Sequence, residues 1–289
     1  MGVSRLDLTH KVILITGAAG RIGAASARAL HEAGARVVLT DVSQQSVDEV
    51  ANQIGGDRVL PLALDVTDRA AADAVVQLVI RRFGGLDVVF ANAGIVSDPL
   101  SSIARIDERA FEKVIEVNLL GVWRSVRACL PQIIERRGHV LITASIYSYC
   151  NGIANAPYAA SKAALEMFGR SLRAELAGTG ATAGVLYPGW VSTPLSKAGF
   201  GGDELVTRML NRAFPWPYNA AVTPERIAAA VVRGMQTRAA RITVPKRWAP
   251  LYWFRGIAGP LSDALLDRDT KIHSMMRALE LQGEDGKRP

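Results

Sequence analysis

The chain has 289 residues, 49% of them hydrophobic and 21% charged, so it can bury a large core and cannot be disordered as a whole. Its longest apolar runs fall short of the roughly 18 residues a membrane-crossing helix needs, and two cysteines, Cys129 and Cys150, exclude a disulfide scaffold. The four histidines form no H-x-x-x-H pair, which argues against a zinc enzyme, and the +7 net charge is dispersed rather than gathered in a basic arm, which argues against nucleic acid as a partner.

The N-terminus, MGVSRLDLTHKVILITG, has no basic region followed by a long apolar segment and a cleavage site. Leu6 stands where a myristoylation signal wants Ser or Thr. The expectation is a cytoplasmic protein. Lys11 to Thr16 (KVILIT) reads as a buried parallel strand, followed by the glycine-rich GAAGRIG and a small-residue helix ended by Gly34. Arg36 to Thr40 is a second strand, ending at Asp41, and Ser43 caps a helix through Ile54. Val59 to Leu64 is a third strand, ending at Asp65. Asp68 to Phe83 is a helix closed by Gly84. Asp87 to Ala91 is a fourth strand and runs into Asn92-Ala93-Gly94.

Asp107 to Arg137 is helical, with a break or kink expected at Pro131. His139 to Thr143 is the fifth strand, Pro157 to Leu176 a helix, and Thr182 to Leu186 the sixth strand, stopped by Pro188-Gly189. Thr223 to Thr237 is a helix and Ile242 to Val244 a short seventh strand. The alternation implies an α/β fold: one doubly wound, Rossmann-type domain over residues 1–245 with a parallel sheet, then a C-terminal extension over 246–289.

In such a sheet the ligand lies beyond the C-terminal ends of the strands. Gly17 allows a tight exit from strand one, Gly20 and Gly23 remove bulk where a pyrophosphate would approach, and the next helix points free N–H groups at that anion. Asp41, 18 residues past Gly23, stands where a carboxylate meets the adenosine ribose hydroxyls. It would repel a 2′-phosphate, which favours NAD over NADP, with Arg21 a partial offset.

Tyr158 and Lys162 lie four apart on one helix face. Six tyrosines and seven lysines would give that spacing by chance only about 0.15 times. An ammonium beside a phenol lowers its pKa, which makes a general base for an alcohol proton. Lys162 can also hold the nicotinamide ribose, and Ser145, at the end of strand five, can hydrogen-bond the substrate oxygen.

With these motifs in place, the chain resembles the short-chain dehydrogenase/reductase family from about Lys11 to Val244. The resemblance rests on Gly17 to Gly23, Asp65-Val66, Asn92-Ala93-Gly94, Asn118 in NLLG, Ser145, Tyr158-x-x-x-Lys162 and Pro188-Gly189. It implies that Asn118 completes a tetrad with Ser145, Tyr158 and Lys162 by holding a water in a proton relay. It further implies that Asp65 and Val66 contact adenine, and that Ile22, Asn92, Ala93, Gly94, Pro188, Gly189, Val191 and Thr193 line the cofactor, Thr193 anchoring the carboxamide. One departure stands out: Arg21 occupies a position where the family usually has glycine, and Gly20 lies one residue early.

The region from Leu195 to Ala221 falls where a substrate lid belongs. With Tyr147 and Tyr149, its Phe200, Met209, Leu210, Phe214, Trp216 and Tyr218 suggest a bulky apolar ketone or secondary alcohol. A dinucleotide-sensing regulator without turnover is the competing reading. The resemblance implies a homodimer or homotetramer through the helices around Asn118–Arg136 and Pro157–Leu176. In the tail, Lys246 to Leu261 (KRWAPLYWFRGIAGPL) has no clean polar face, and Pro250, Gly256 and Pro260 are expected to break its regularity. It is expected to close over the lid or pack on a partner, with peripheral membrane contact as the alternative.

Overall fold

Seven parallel strands form the centre of the computed structural model, which describes residues 5–192 and 204–285. They are β1 (Val12–Thr16), β2 (Arg36–Asp41), β3 (Val59–Ala63), β4 (Val88–Ala91), β5 (His139–Thr143), β6 (Thr182–Pro188) and β7 (Arg241–Val244). Their order is β3-β2-β1-β4-β5-β6-β7. The chain winds outward from β1 to β3, then returns to start the other half at β4. The crevice between β1 and β4 is therefore the switch point where such sheets bind ligands. Ile13 pairs with Val37 on one side and with Val88 on the other, so all three strands end level.

Both sheet faces are covered, which is why the strands read as unbroken apolar runs. One face packs on α1 (Arg21–Glu32), α2 (Gln44–Ile54) and α8 (Pro224–Thr237) through Ile15, Leu30, Leu39, Val47, Ile227 and Val231. The other packs on α3 (Arg69–Phe83), α5 (Val122–Glu135) and α6 (Ala156–Glu175) through Leu14, Val76, Val126, Val140, Leu165 and Leu172. Caps set the helix starts as expected: Ser43 accepts from the Ser46 amide, and Asp68 from the Ala70 and Ala71 amides. Gly84 closes α3 with φ +79, a backbone only glycine adopts freely.

The helical stretch from Asp107 breaks elsewhere than at Pro131. Helix α4 (Glu108–Ile115) passes through a π-helical turn, Glu116–Gly121, into α5, and Pro131 sits inside α5 without ending it. Strand β6 runs two residues further than Leu186, to Pro188. The tail is more regular than its prolines suggest. A short 3₁₀ turn, Lys246–Trp248, leads into α9 (Ala249–Trp253), α10 (Arg255–Leu266) and α11 (Thr270–Asp285). Pro250 falls in the first turn of α9, where no N–H is needed, while α10 carries Pro260 in its interior.

Candidate active site

A cleft of about 1300 Å³ opens at the switch point, lined by Gly17, Gly20, Arg21, Ile22, Gly23, Asp41, Asp65, Val66, Asn92, Ala93, Gly94, Tyr158, Lys162 and Pro188. That exceeds the roughly 300–1,000 Å³ of ordinary small-molecule sites, which leaves room for a dinucleotide and a second ligand. Gly17 has φ +66, and a Cβ there would come within 2.8 Å of Ala93 Cα. A Cβ at Gly23 would lie 2.2 Å from the Gly17 carbonyl oxygen, so only glycine lets α1 start against that turn. Arg21 is tolerated in place of a glycine because it is the first residue of α1, with helical backbone and an exposed side chain. Ala24 N donates to Gly20 O at 2.8 Å, and the amides before it have no intrahelical acceptor. They make an anion cradle of the kind a pyrophosphate needs.

At one end of the cleft, Asp41 is held by two backbone amides: Ala19 N donates to Oδ2 at 3.0 Å and Val42 N to Oδ1 at 2.9 Å. Asp65 accepts from Thr67 N at 2.9 Å and from Thr67 Oγ1 at 2.7 Å, so it shapes its own turn. Val66 packs against Gly121, where a Cβ would approach its Cγ2 to 2.6 Å.

Two threonines that sequence reasoning passed over brace the middle. Thr16 Oγ1 accepts from Asn92 N and Ala93 N, each at 3.0 Å, and locks the β4 exit to β1. Thr143 Oγ1 donates to Asn92 Oδ1 at 3.1 Å. Their signal in the sequence is a polar residue closing an apolar strand.

At the other end, Tyr158 and Lys162 stand together on α6, with Lys162 Nζ 5.4 Å from the Tyr158 ring centroid. Ser145 lies close enough to the Tyr158 hydroxyl to favour its phenolate, so three of the four proposed catalytic residues stand together. Burial pushes Tyr158 up to about 12, against the downward pull of Ser145. Burial alone lowers Lys162 to about 7. The apolar setting thus disfavours phenolate and ammonium taken singly, and each charge would relieve the cost of the other.

Asn118 is fully buried in the π-helical turn. Its Oδ1 accepts from Ile95 N at 2.8 Å, and its Nδ2 donates to Ile95 O at 2.9 Å and to Ser161 Oγ at 3.1 Å. Ser161 in turn donates to the Tyr158 carbonyl oxygen at 2.7 Å. A Cβ at Gly94 would meet Lys162 Nζ at 3.3 Å and Asn118 Oδ1 at 3.4 Å, so both groups border one small space.

Gly189 and Val191 are not among the residues that line the cleft. A Cβ on Gly189 would fall 2.8 Å from Trp248 Nε1, so that glycine makes room for the tail. Val191 is buried in the core beneath α1 and bridges to Val222. Thr193 and Phe200 lie outside the described residues. Tyr147 meets Tyr158 edge-to-face at 5.9 Å, but Tyr149 turns away onto Tyr187 and Tyr252, because the 3₁₀ turn Ile146–Ser148 separates their directions. Of the lid residues, Phe214 joins Tyr147 and Trp190 in an aromatic wall beside Tyr158. Met209 and Leu210, on α7 (Glu204–Ala213), instead pack under Ile272 and Met275 of α11. Trp216 is exposed, and Tyr218 stacks edge-on against Trp248. Both parts of the tail thus meet the lid region: Trp248 packs against Phe214 and Tyr218 and Arg247 donates to the Ala220 carbonyl oxygen, while α11 covers α7.

Comparison with known proteins agrees with this geometry. A family profile described as short chain dehydrogenase matches residues 11–201. An uncharacterised oxidoreductase of Staphylococcus aureus is 35% identical over 192 residues, 66% of this chain and 82% of that protein. A 3-ketoacyl-(acyl-carrier-protein) reductase from Brucella melitensis, solved with NADH, superposes with a TM-score of 0.72 at 26% identity, covering 82% of this chain and 97% of that one. An alcohol dehydrogenase from Thermococcus sibiricus, solved with 5-hydroxy-NADP, gives 0.68 at 28% identity, covering 81% and 95%.

Proposed function

The chain belongs to the short-chain dehydrogenase family of oxidoreductases, and from that premise we propose that it interconverts a secondary alcohol and a ketone on a bulky apolar substrate, using NAD(H). The observation that carries the reading is the meeting of Tyr158, Lys162 and Ser145 at the nicotinamide end of a glycine-walled cleft. A regulator that only sensed the dinucleotide would have no use for a base so placed.

Bound NAD supplies the hydride acceptor and the positive charge of its oxidised ring. Tyr158 takes the hydroxyl proton of the alcohol as the carbinol carbon gives up hydride, and returns a proton in the reductive direction. Ser145 holds the substrate oxygen beside the Tyr158 hydroxyl. Lys162 stabilises the phenolate through space and has donors left for a ribose, since the Thr143 carbonyl oxygen occupies one. Asn118, fixed on both sides by Ile95, holds the π-helical turn against α6 and borders the space through which a water would reach Lys162.

Three features favour NAD over NADP. Both Asp41 oxygens are oriented by amides and retain lone pairs for ribose hydroxyls. The next residue is Val42, 69% exposed, where a cation for a 2′-phosphate would be useful. A weaker third is the charge of Arg21, which is shared with Glu225: that carboxyl is held low first by hydrogen bonds from its own amide and Thr223, then by Arg28 and Arg21. The wall of Tyr147, Trp190 and Phe214 favours an apolar substrate.

The reading includes a homodimer or homotetramer over α5 and α6, which keep Trp123 and Met167 37% and 56% exposed. A purely monomeric mass at micromolar concentration would overturn that part. The activity is tested by following NADH and NADPH oxidation against pools of apolar ketones, small polar ketones and sugars. Turnover of apolar ketones with NADH supports it, and tight NADH binding without turnover of any pool would favour the sensing protein.

A further inference from the structure

Helix α10 buries none of its residues, yet it is rich in large apolar side chains. Phe254, Ile257, Leu261 and Leu265 recur at helical spacing on one face, with Trp253 at its start, and these five are 61–74% exposed. No charged residue lies between Arg255 and Asp263. The opposite face is pinned to the protein. Arg255 donates to Glu166 of α6 at 2.5 Å, Asn151 to Asp263 at 3.4 Å, and Leu266 packs into the lid cluster. The apolar face is therefore held outward by its own anchors.

We propose that this face of α10 docks the protein on an anionic bilayer surface. Exposed Arg241 and Lys246 stand at the Trp253 end of the stretch, and Arg268 and Lys271 at the other. Arg241 lies 5.0 Å over the Trp253 ring, an aromatic–cation pair suited to the headgroup layer. Of the acids nearby, Asp269 is paired with Arg212, which leaves Asp263, bonded only to the neutral Asn151 amide, and Asp267 against these four cations.

Two magnitudes favour a bilayer over a second copy of the chain. The five side chains, each about two-thirds exposed, offer on the order of 500 Å², against roughly 800 Å² per partner in a standard interface. The chain carries +7, which repels another copy and attracts anionic headgroups. No helix among the described residues is long and apolar enough to cross a membrane, so the contact lies in the interface. Asn151 belongs to the segment between Ser145 and Tyr158, which sets the docking helix beside the substrate end of the cleft. The proposal stands on the surface alone and does not depend on the reaction assigned above.

The test is sedimentation of the full-length protein with phosphatidylglycerol/phosphatidylcholine vesicles and with phosphatidylcholine vesicles, at low and high salt. Binding should require the anionic lipid and weaken with salt. Ile257→Asp and Leu261→Asp should each reduce it at least about 10-fold, with thermal unfolding and NADH binding unchanged. No binding to anionic vesicles, or binding that ignores both substitutions, would overturn the proposal. So would a mass measurement in which Ile257→Asp splits an oligomer of the unmodified protein, since the face would then be a contact between copies.

Discussion

The Nζ of Lys162 donates to the carbonyl oxygen of Thr143 across 2.9 Å. A helix residue is thereby tied to the end of β5, two residues before Ser145, so Tyr158, Lys162 and Ser145 are fixed to one frame. One neutral acceptor offsets only part of the cost of burying an ammonium, and burial lowers Lys162 to about 7 in the chain alone. One lysine should therefore react with an acylating reagent with a midpoint near pH 7, and NADH should protect it. Mapping the label to Lys162 checks this. Labelling only at the alkaline pH of ordinary lysines would contradict it.

In the proposed reading, Asp41 selects NAD. Asp41→Ala removes the carboxylate that would meet the ribose hydroxyls and frees the Ala19 amide in the glycine loop. NADH should bind more weakly and NADPH no worse, so the preference narrows or reverses. Dissociation constants from nicotinamide fluorescence decide it; an unmodified protein that binds NADPH more tightly would show that Arg21 outweighs Asp41.

The tail should act on substrate affinity rather than on chemistry. Arg212 of the lid helix donates from Nε to both oxygens of Asp269, at 2.8 and 2.6 Å. The pair is partly exposed and screened by solvent, so Asp269→Asn should raise KM for apolar substrates only modestly and leave kcat alone. Ending the chain at Asp267 removes the buried contact of Ile272 and Met275 with Val206 and Met209, and should raise KM further. Unchanged KM in both variants would mean that α11 does not hold the lid.

His139 gives the fold a dependence on pH. Burial, then the charges of Arg238 and Arg173, lower its ring to about 3, and it stays neutral beside Thr182 Oγ1 at 2.8 Å. An unfolded histidine titrates near 6.5, so between about 6.5 and 3 the unfolded chain binds a proton that the folded one refuses. Stability from this residue is full above that window and falls as pH drops through it. Denaturant titrations should show a shallower fall for His139→Gln across the window; equal slopes would contradict the assignment.

Much of this site could be read in the sequence because its parts are local. The apolar runs of β1 and β4, the glycines after Thr16 and the spacing of Tyr158 and Lys162 each reflect a short-range requirement. What escaped the sequence depends on tertiary contacts. The π-helical turn at Glu116–Gly121 leaves the helical pattern almost intact; its clearest physical supports are the bonds from Asn118 to Ile95, 23 residues away. Tyr149 looks the same as Tyr147 in sequence, and only the 3₁₀ turn sends it to Tyr187 and Tyr252. Met209 and Leu210 read as pocket residues because nothing in the chain announces that α11 returns to cover them.

The central claim is that Tyr158 is the acid and base of an NAD-dependent oxidoreduction. The direct measurement is turnover of the best apolar ketone by Tyr158→Phe, alongside its NADH dissociation constant and thermal unfolding. The phenyl ring keeps the edge-to-face contact with Tyr147 and loses only the hydroxyl beside Ser145. Folding should be intact, NADH affinity near-unchanged and kcat lower by at least about 10²-fold. A folded, NADH-binding Tyr158→Phe protein with near-normal kcat would contradict it.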